Sequence, residues 1–208
     1  MNSTDAVKTN TPKKKSWTII ALLTVSIFPI IAAYTMFYTG MGVPDHTVNT
    51  GVLLSKAVKV QDLLGATEPD FIQALQTNKK WRLLIPITTE CNKACEQNFY
   101  TTRQVHIRLS EKSSRVERIA VNVGGTVGQR IYDQIKAEHP NLKLVNADSN
   151  HWVTWLGQSE SGLDATQNPF YLLIDQEGFA MMSYTTAQHG NELLKDIKRA
   201  LKYSIDYQ

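Results

Sequence analysis

The chain has two cysteines, Cys91 and Cys95, and they stand four residues apart in Trp81–Asn98, WRLLIPITTECNKACEQN. An apolar run from Trp81 to Ile87 leads into a polar turn, Thr88-Thr89-Glu90, and Cys91 follows where a helical pattern opens. A thiol at the start of a helix meets free N–H groups and the positive end of the helix dipole, and both favour the thiolate. A thiolate is a nucleophile and also a soft-metal ligand. Two chemistries follow: exchange with disulfides, and coordination of a soft ion such as Cu(I), which accepts two thiolates and gains from a third His or Met ligand. The plainer alternative is a pair of small buried hydrophobes, against which the flanking Asn92, Lys93 and Glu96 argue.

The spacing adds a constraint. On one helix, residues i and i+4 hold their Cβ atoms about 5–6 Å apart, whereas a disulfide needs about 3.5–4.5 Å. Oxidation then requires the first turn to shift or Cys91 to sit outside the helix. A bridge built on one helix face is expected to be strained and easily reduced. Cys91 is expected to be the more exposed thiol with the lower pKa, and Cys95 the more buried partner.

The candidate third ligands are the histidines. His106 lies eleven residues beyond Cys95, about 16 Å along a continuous helix, so it cannot share a metal with the pair. His139 closes the following helical pattern and is read as solvent-exposed. His151 falls in a loop region able to approach the cysteine edge and is the assigned third ligand, while His189 precedes the last helix and is a weaker one. Solvated surface is the alternative for both.

Stepping along the chain gives the elements that must hold this pair. Thr47–Leu54 reads as an edge strand or extended arm, and Ala57–Asn78 is poorly patterned, its QDLLG and FIQALQ pieces compatible with a strand and a short helix. A strand over Arg82–Thr88, with Pro86 weakening its end, feeds a helix over Lys93–Leu109. Strand Val116–Val123 ends at Gly124-Gly125, and a helix over Thr126–Glu138 places Val127, Ile131 and Ile135 on one face. Leu142–Val145 is a short strand, His151–Gly157 an amphipathic turn, and Ser159–Gln167 a polar loop. Phe170–Ile174 and Phe179–Tyr184 flank Asp175-Gln176-Glu177-Gly178 as a hairpin, and Asn191–Tyr203 is a closing amphipathic helix. The order is β-α-β-α-β-β-β-α.

Ahead of all this, Trp17–Tyr38 runs 22 residues without a charge, long enough at 1.5 Å per residue to span a hydrocarbon core of about 30 Å. A cleaved leader would have a shorter apolar stretch and a small-x-small site, whereas this one ends in Met36-Phe37-Tyr38. Lys8, Lys13, Lys14 and Lys15 precede it, and the next basic residue is Lys56, so the amino terminus is expected to stay in the cytoplasm. In a bacterium the rest is then periplasmic. The first fifteen residues hold four lysines and one aspartate, which is the whole net charge of +3. The exported part is neutral, with no basic stripe for nucleic acid. The expected division is a basic tail at 1–16, a membrane helix at 17–38, a linker at 39–46 and an exported domain at 47–208.

A strand–turn–helix junction carrying cysteines, inside this element order, resembles the α/β thioredoxin-like fold. The three-residue cysteine spacing together with the membrane anchor resembles the Sco family of copper chaperones for cytochrome oxidase assembly. The stretches TTRQVHIRLSEKSSRVERIAVNV, FYLLIDQEGFAMMSY and NELLKDIKRALKYS look like a Sco-like set of small anchored proteobacterial proteins. The resemblance covers roughly Thr47 to the end. Sco proteins carry Cys-Pro-x-x-Cys-Pro and a later Asp-His-Ser/Thr. Here Cys91 and Cys95 match, Asn92 and Glu96 replace the prolines, and Thr166-Gln167-Asn168-Pro169 stands before the hairpin with no histidine. The resemblance implies a bacterial inner-membrane factor for haem–copper oxidase assembly, handling Cu(I) through Cys91 and Cys95, with an oxidase subunit or other assembly factors as partners.

Two other readings stay open. Thioredoxin-like oxidoreductases place a cis proline beside their cysteines, and Asn168-Pro169-Phe170 occupies that place, which would make Cys91, Cys95 and Pro169 a thiol–disulfide exchange site; both isomers of the bond remain open. The third reading is a non-catalytic scaffold whose surface binds an oxidase subunit, with Trp152 and Trp155 as contributors or, alternatively, as core.

Overall fold

The structure, a computed structural model, describes residues 14–42 and 49–205. The basic tail before residue 14, residues 43–46 of the expected linker with His46 among them, and the expected domain start at Thr47 lie outside the described residues. The chain divides into two compact units, Met1–Thr47 and Val48–Gln208.

In the first unit, helix α1 (Lys14–Thr39) contains Trp17–Thr39, of mean hydropathy 2.2 and with none of it buried. It is long and apolar enough to cross a membrane. Three of its hydroxyls turn back on the helix: Thr24, Ser26 and Thr35 donate to the carbonyls of Ile20, Leu22 and Ile31 at 2.9, 3.0 and 2.8 Å, which pairs these donors within the helix rather than against lipid.

The second unit is built on one six-stranded sheet. In chain order its elements are β1 (Val52–Lys59), α2 (Val60–Leu64), α3 (Pro69–Thr77), β2 (Trp81–Ile87), α4 (Lys93–Arg108), β3 (Val116–Asn122), α5 (Gly125–Ile135), β4 (Leu142–Asn146), α6 (Ser149–Gly157), β5 (Phe170–Ile174), β6 (Phe179–Thr185) and α7 (Gly190–Tyr203). The sheet order is β1-β6-β5-β2-β3-β4. β2, β3 and β4 run parallel, Trp81 opposite Val116 and Ala120 opposite Leu144; β5, β6 and β1 add antiparallel.

Both faces of the central strands are covered, which is why β2 reads as a continuous apolar run rather than an alternation. Leu83, Ile85 and Ile87 point into one core layer with Phe99 of α4 and Leu193, Ile197 and Leu201 of α7. Leu84, Ile119, Val121 and Leu172 point into the other, with Leu63 and Leu64 of α2 and Trp152 and Trp155 of α6. Pairing of β2 with β5 ends at Leu84, two residues short of Pro86, whose ring nitrogen cannot donate to a ladder.

The α/β thioredoxin-like reading holds from β2 onward, and the elements missed by the sequence reading are short. Ala57–Asn78 holds the end of β1 and two helices, α2 in place of the expected strand and α3 over the expected short helix. α6 is a full helix rather than a turn, capped by Asp148, whose Oδ1 accepts from the N–H groups of Asn150 and His151 at 3.0 and 2.9 Å. It stands between β4 and β5, where the expected order had no helix.

Candidate functional site

The site forms where β2 and β3 end side by side. The Ile87 carbonyl accepts from the N–H groups of Val123 and Gly124 at 2.9 and 3.1 Å, fastening the loop after β2 to the loop after β3. This approach needs glycine: a Cβ on Gly124 would collide with the Thr88 carbonyl. Asn122 closes the bend below it, its Oδ1 accepting from Gly124 N–H at 3.1 Å and its Nδ2 donating to the Gly125 carbonyl at 2.9 Å. Gly125 takes a φ of +58°, a region that costs a side-chain-bearing residue.

The loop then climbs through Thr88, whose Oγ1 donates to the Glu90 carbonyl at 2.9 Å, to Cys91. Asn92 is the N-cap of α4, its Oδ1 accepting from Ala94 N–H at 3.0 Å and Cys95 N–H at 3.1 Å. Cys91 therefore lies outside the helix and Cys95 in its first turn. The two form a disulfide with Cα atoms 5.1 Å apart. The expectation of a strained bridge assumed both cysteines on one helix face, and that premise does not hold. Cys91 is half-buried and Cys95 is 5 % exposed, so Cys91 is the more accessible of the two.

Two hollows flank this loop and meet at Thr89. One is a groove of about 570 Å³ containing Cys91, bounded by Glu90 and Asn92 on the loop and by Val127, Arg130, Ile131 and Gln134 of α5. The other is an apolar cleft of about 540 Å³ lined by Val123, Trp152, Val153, Leu156 and Leu163, with Thr88, Ser149 and Asp164 among its polar residues. Neither was read from the sequence, because both are assembled from residues about 30 to 80 positions apart. The N-cap signal, Asn followed by a helical run, stood in the sequence but was not used there.

The other assigned residues fall as follows. His151 is exposed in the first turn of α6, and among the described residues no group of three or more His, Cys, Asp and Glu side chains stands close enough to hold a metal. Pro169 is half-buried before β5, and the Asn168–Pro169 bond is trans, since no cis peptide occurs among the described residues; the cis form left open by the sequence is not adopted. His189 is the N-cap of α7, in a capping box with Glu192. His106 Nε2 pairs with the Val116 carbonyl at 3.0 Å. His139, read as solvent-exposed, is 9 % exposed, its Nδ1 3.3 Å from Arg118 Nη2. Arg118 belongs to β3, and only the parallel packing of β3 beside β4 brings it there. Trp152 and Trp155 are core, Trp155 Nε1 donating to the Lys59 carbonyl at 2.7 Å.

These features define a thioredoxin-fold domain whose one disulfide sits at the junction of a central strand and the following helix, preceded by a helix able to span a membrane. The chain belongs to the family described as transmembrane-like, thioredoxin-like C-terminal domain, matched over residues 81–204. Among solved structures it is similar to BsSco, a member of the Sco family of cytochrome c oxidase assembly proteins described for a disulfide switch; identity is 12 %, coverage 77 % of this chain and all of that one, TM-score 0.50. Copper-bound ScoI of Arabidopsis thaliana is similar at 14 % identity over 62 % of this chain and 89 % of that one, TM-score 0.49. Copper-bound ScoI of Bradyrhizobium japonicum gives 14 % identity, 61 % and 88 % coverage and a TM-score of 0.46. At these identities the likeness is one of fold. No curated protein matches the sequence.

Proposed function

We propose that the chain is a membrane-anchored assembly factor for haem–copper cytochrome c oxidase that works by thiol–disulfide exchange through Cys91 and Cys95. The observation that carries this reading is the disulfide itself, with Cys91 half-buried ahead of the N-cap and Cys95 buried behind it. An incoming thiolate attacks Cys91 Sγ, the Cys91–Cys95 bond breaks, and the electron pair leaves on Cys95. Cys95 is suited to leave because its sulfur lies in the first turn of α4, at the positive end of the helix dipole. A second thiolate then attacks the substrate sulfur of the mixed disulfide, releasing the oxidised substrate disulfide and leaving Cys91 and Cys95 reduced, whereas attack by Cys95 would only reverse the first step. Pro169 borders the strand beside the pair in its trans form and has a packing role in this reading. The domain is periplasmic, the tail before Trp17 cytoplasmic, and the anchor lies in the bacterial inner membrane.

A second reading takes Cu(I) as cargo. In the reduced protein the Cys91 and Cys95 thiolates are its two donors, with His151 as third ligand. Its support is that the first turn of α6, which carries His151, borders the same cleft as Thr88 and Thr89 of the cysteine loop.

The experiment uses the full chain in detergent, reduced and then titrated anaerobically with Cu(I) and, separately, equilibrated with glutathione redox buffers. A defined dithiol potential with no stoichiometric copper binding is the expected result. Stoichiometric binding lost in both Cys91→Ser and Cys95→Ser moves the assignment to the cargo reading. If neither activity is present, exchange and cargo are both wrong and a scaffold remains. Alkylation of the reduced protein is expected to label Cys91 before Cys95. A carboxyl-terminal reporter active only in the cytoplasm would overturn the orientation.

A further inference from the structure

We infer that the two hollows meeting at Thr89 are one trough for an extended cysteine-bearing polypeptide, with a large apolar residue on one side of the substrate cysteine and an acidic residue on the other. This rests on the exchange reading and names the substrate class of that site.

The trough lies over the carboxyl ends of the parallel strands β2 and β3, where open α/β sheets place their ligands. Its two halves differ in chemistry. The cleft beside Thr89 is walled by Trp152, Leu156 and Leu163 and stays open at Val153, which is 68 % exposed. A hollow of this size with apolar walls and a polar rim takes a bulky apolar side chain. The groove around Cys91 is lined on the α5 side by the apolar Val127 and Ile131 and by Arg130. Arg130 is exposed, and among the described residues no carboxylate pairs with it. Glu90 on the loop side of the same groove is also exposed and without an ion pair.

These opposed charges give the trough a direction. A substrate carboxylate is attracted towards α5 and repelled from the loop, so it is held on the Arg130 side of the reacting sulfur. The apolar residue then falls on the Thr89 side, over Trp152. Arginine suits this role because its fork binds a carboxylate in two bonds. Bound this way, the substrate thiol gives its proton to solvent and its sulfur attacks Cys91 Sγ. The Cys91–Cys95 bond breaks, a mixed disulfide with the peptide forms, the peptide sulfur is oxidised, and the Cys95 thiolate is the reduced product.

The test uses full-length oxidised protein in detergent and capped heptapeptides with one cysteine, tryptophan two residues to one side and aspartate or lysine two residues to the other, in both orders. Mixed-disulfide formation is timed by acid quench and mass spectrometry. Each rate is divided by that of dithiothreitol on the same variant. In one order the aspartate peptide is expected to react about tenfold faster than the lysine peptide, the gap narrowing at high salt. Arg130→Glu is expected to invert that preference. Val153→Asp, on an exposed position unable to unfold the core, is expected to erase the advantage of tryptophan over alanine. Equal rates for aspartate and lysine peptides in both orders, while dithiothreitol still reduces the protein, overturn the trough. Failure of dithiothreitol to reduce the folded protein overturns the exchange reading beneath it, and the trough with it.

Discussion

The two ends of the β2–β3 pair are held by different means. At the amino ends, Arg82 is 1 % exposed and fully engaged: Nε donates to Glu117 Oε2 at 3.0 Å, Nη1 to the Lys80 carbonyl at 2.8 Å and Nη2 to the Asn78 carbonyl at 2.7 Å. Glu117 Oε1 takes a further bond from Lys143 of β4 at 2.6 Å, so one carboxylate ties three strands. At the carboxyl ends no ion pair does this work. There the strands are joined by the Ile87 carbonyl and by the collision-free approach that Gly124 permits. Charge locks the end without chemistry, and bare backbone shapes the end with it, leaving the charges around the disulfide, Glu90 and Arg130, unspent.

The largest expected effect tests the locked end. Arg82→Ala removes the buried partner of Glu117 and takes a donor from the Lys80 and Asn78 carbonyls, and is expected to destabilise the domain by about 3 kcal/mol, read as a drop in thermal midpoint. Disulfide reduction by dithiothreitol below that midpoint is expected to be unaltered, since the lesion is at the far end of the strands. Burial pushes the Glu117 carboxyl up, and the Lys143 hydrogen bond and the Arg82 charge bring it below the usual range. This contribution is present above the unfolded carboxyl pKa and is lost as pH falls through the folded one.

Gly124→Ala tests the other end. Its added Cβ meets the Thr88 carbonyl, which is backbone and cannot swing aside, so the cysteine loop must move. About 2 kcal/mol of destabilisation is expected, together with a changed rate of disulfide reduction, which Arg82→Ala should not show. A variant that lost stability with an unchanged reduction rate would sink the idea that Gly124 sets the loop.

How far the sequence led can be seen at the same two ends. The strand–turn–helix junction around Cys91 was legible because it is local: a buried apolar run, a polar turn and the opening of a helical pattern follow one another in twelve residues. The hairpin at Asp175–Gly178 and the stripe of α7 were legible for the same reason. The lock was not, because a charged residue inside a strand pattern normally signals a solvent face, whereas Arg82 is buried against Glu117 of β3 and the Lys80 and Asn78 carbonyls, and Arg118 against Phe99 and Thr102 of α4 and His139. FIQALQ, read as a short helix, lies in α3, whereas QDLLG, read as strand, overlaps α2, because a helix of five residues shows too little of a 3.6-residue period; Pro69 at the start of α3 was a further usable signal. The cysteines' chemistry was readable, but the ground for expecting strain falls away, since spacing alone could not place Cys91 before the cap rather than inside the helix.

Asn92→Ala separates these contributions further. It removes the acceptor for the N–H groups of Ala94 and Cys95 and is expected to cost about 1 kcal/mol. It also frees the two N–H groups nearest the Cys95 sulfur, so the reduced form should gain relative to the oxidised one, measured as a higher dithiol potential in glutathione buffers. A potential equal to that of the unaltered protein would mean that the cap serves helix stability alone.

The smallest effect concerns protons, and it belongs to the locked end. Arg118 is 1 % exposed, and burial, then Arg103, push its pKa down to about 10. Its guanidinium can only donate, so His139 Nδ1 must accept; protonating that nitrogen would set two donors face to face. Burial first, then Arg118 and Arg103, hold the His139 pKa below its ordinary value, with Glu138 opposing weakly. His106 is lowered too, chiefly by burial, although its bond to the Val116 carbonyl works the other way. A base with a depressed folded pKa stays neutral while the unfolded chain takes up the proton. Stability therefore begins to fall as pH drops below about 6.5, and the loss continues down to the folded pKa. Thermal midpoints between pH 7.5 and 5 should show that decline. His139→Gln should flatten it, leaving the part due to His106. A slope unchanged by the substitution would mean that His139 takes up its proton as readily in the folded protein as in the unfolded chain, and that Arg118 tolerates the added charge.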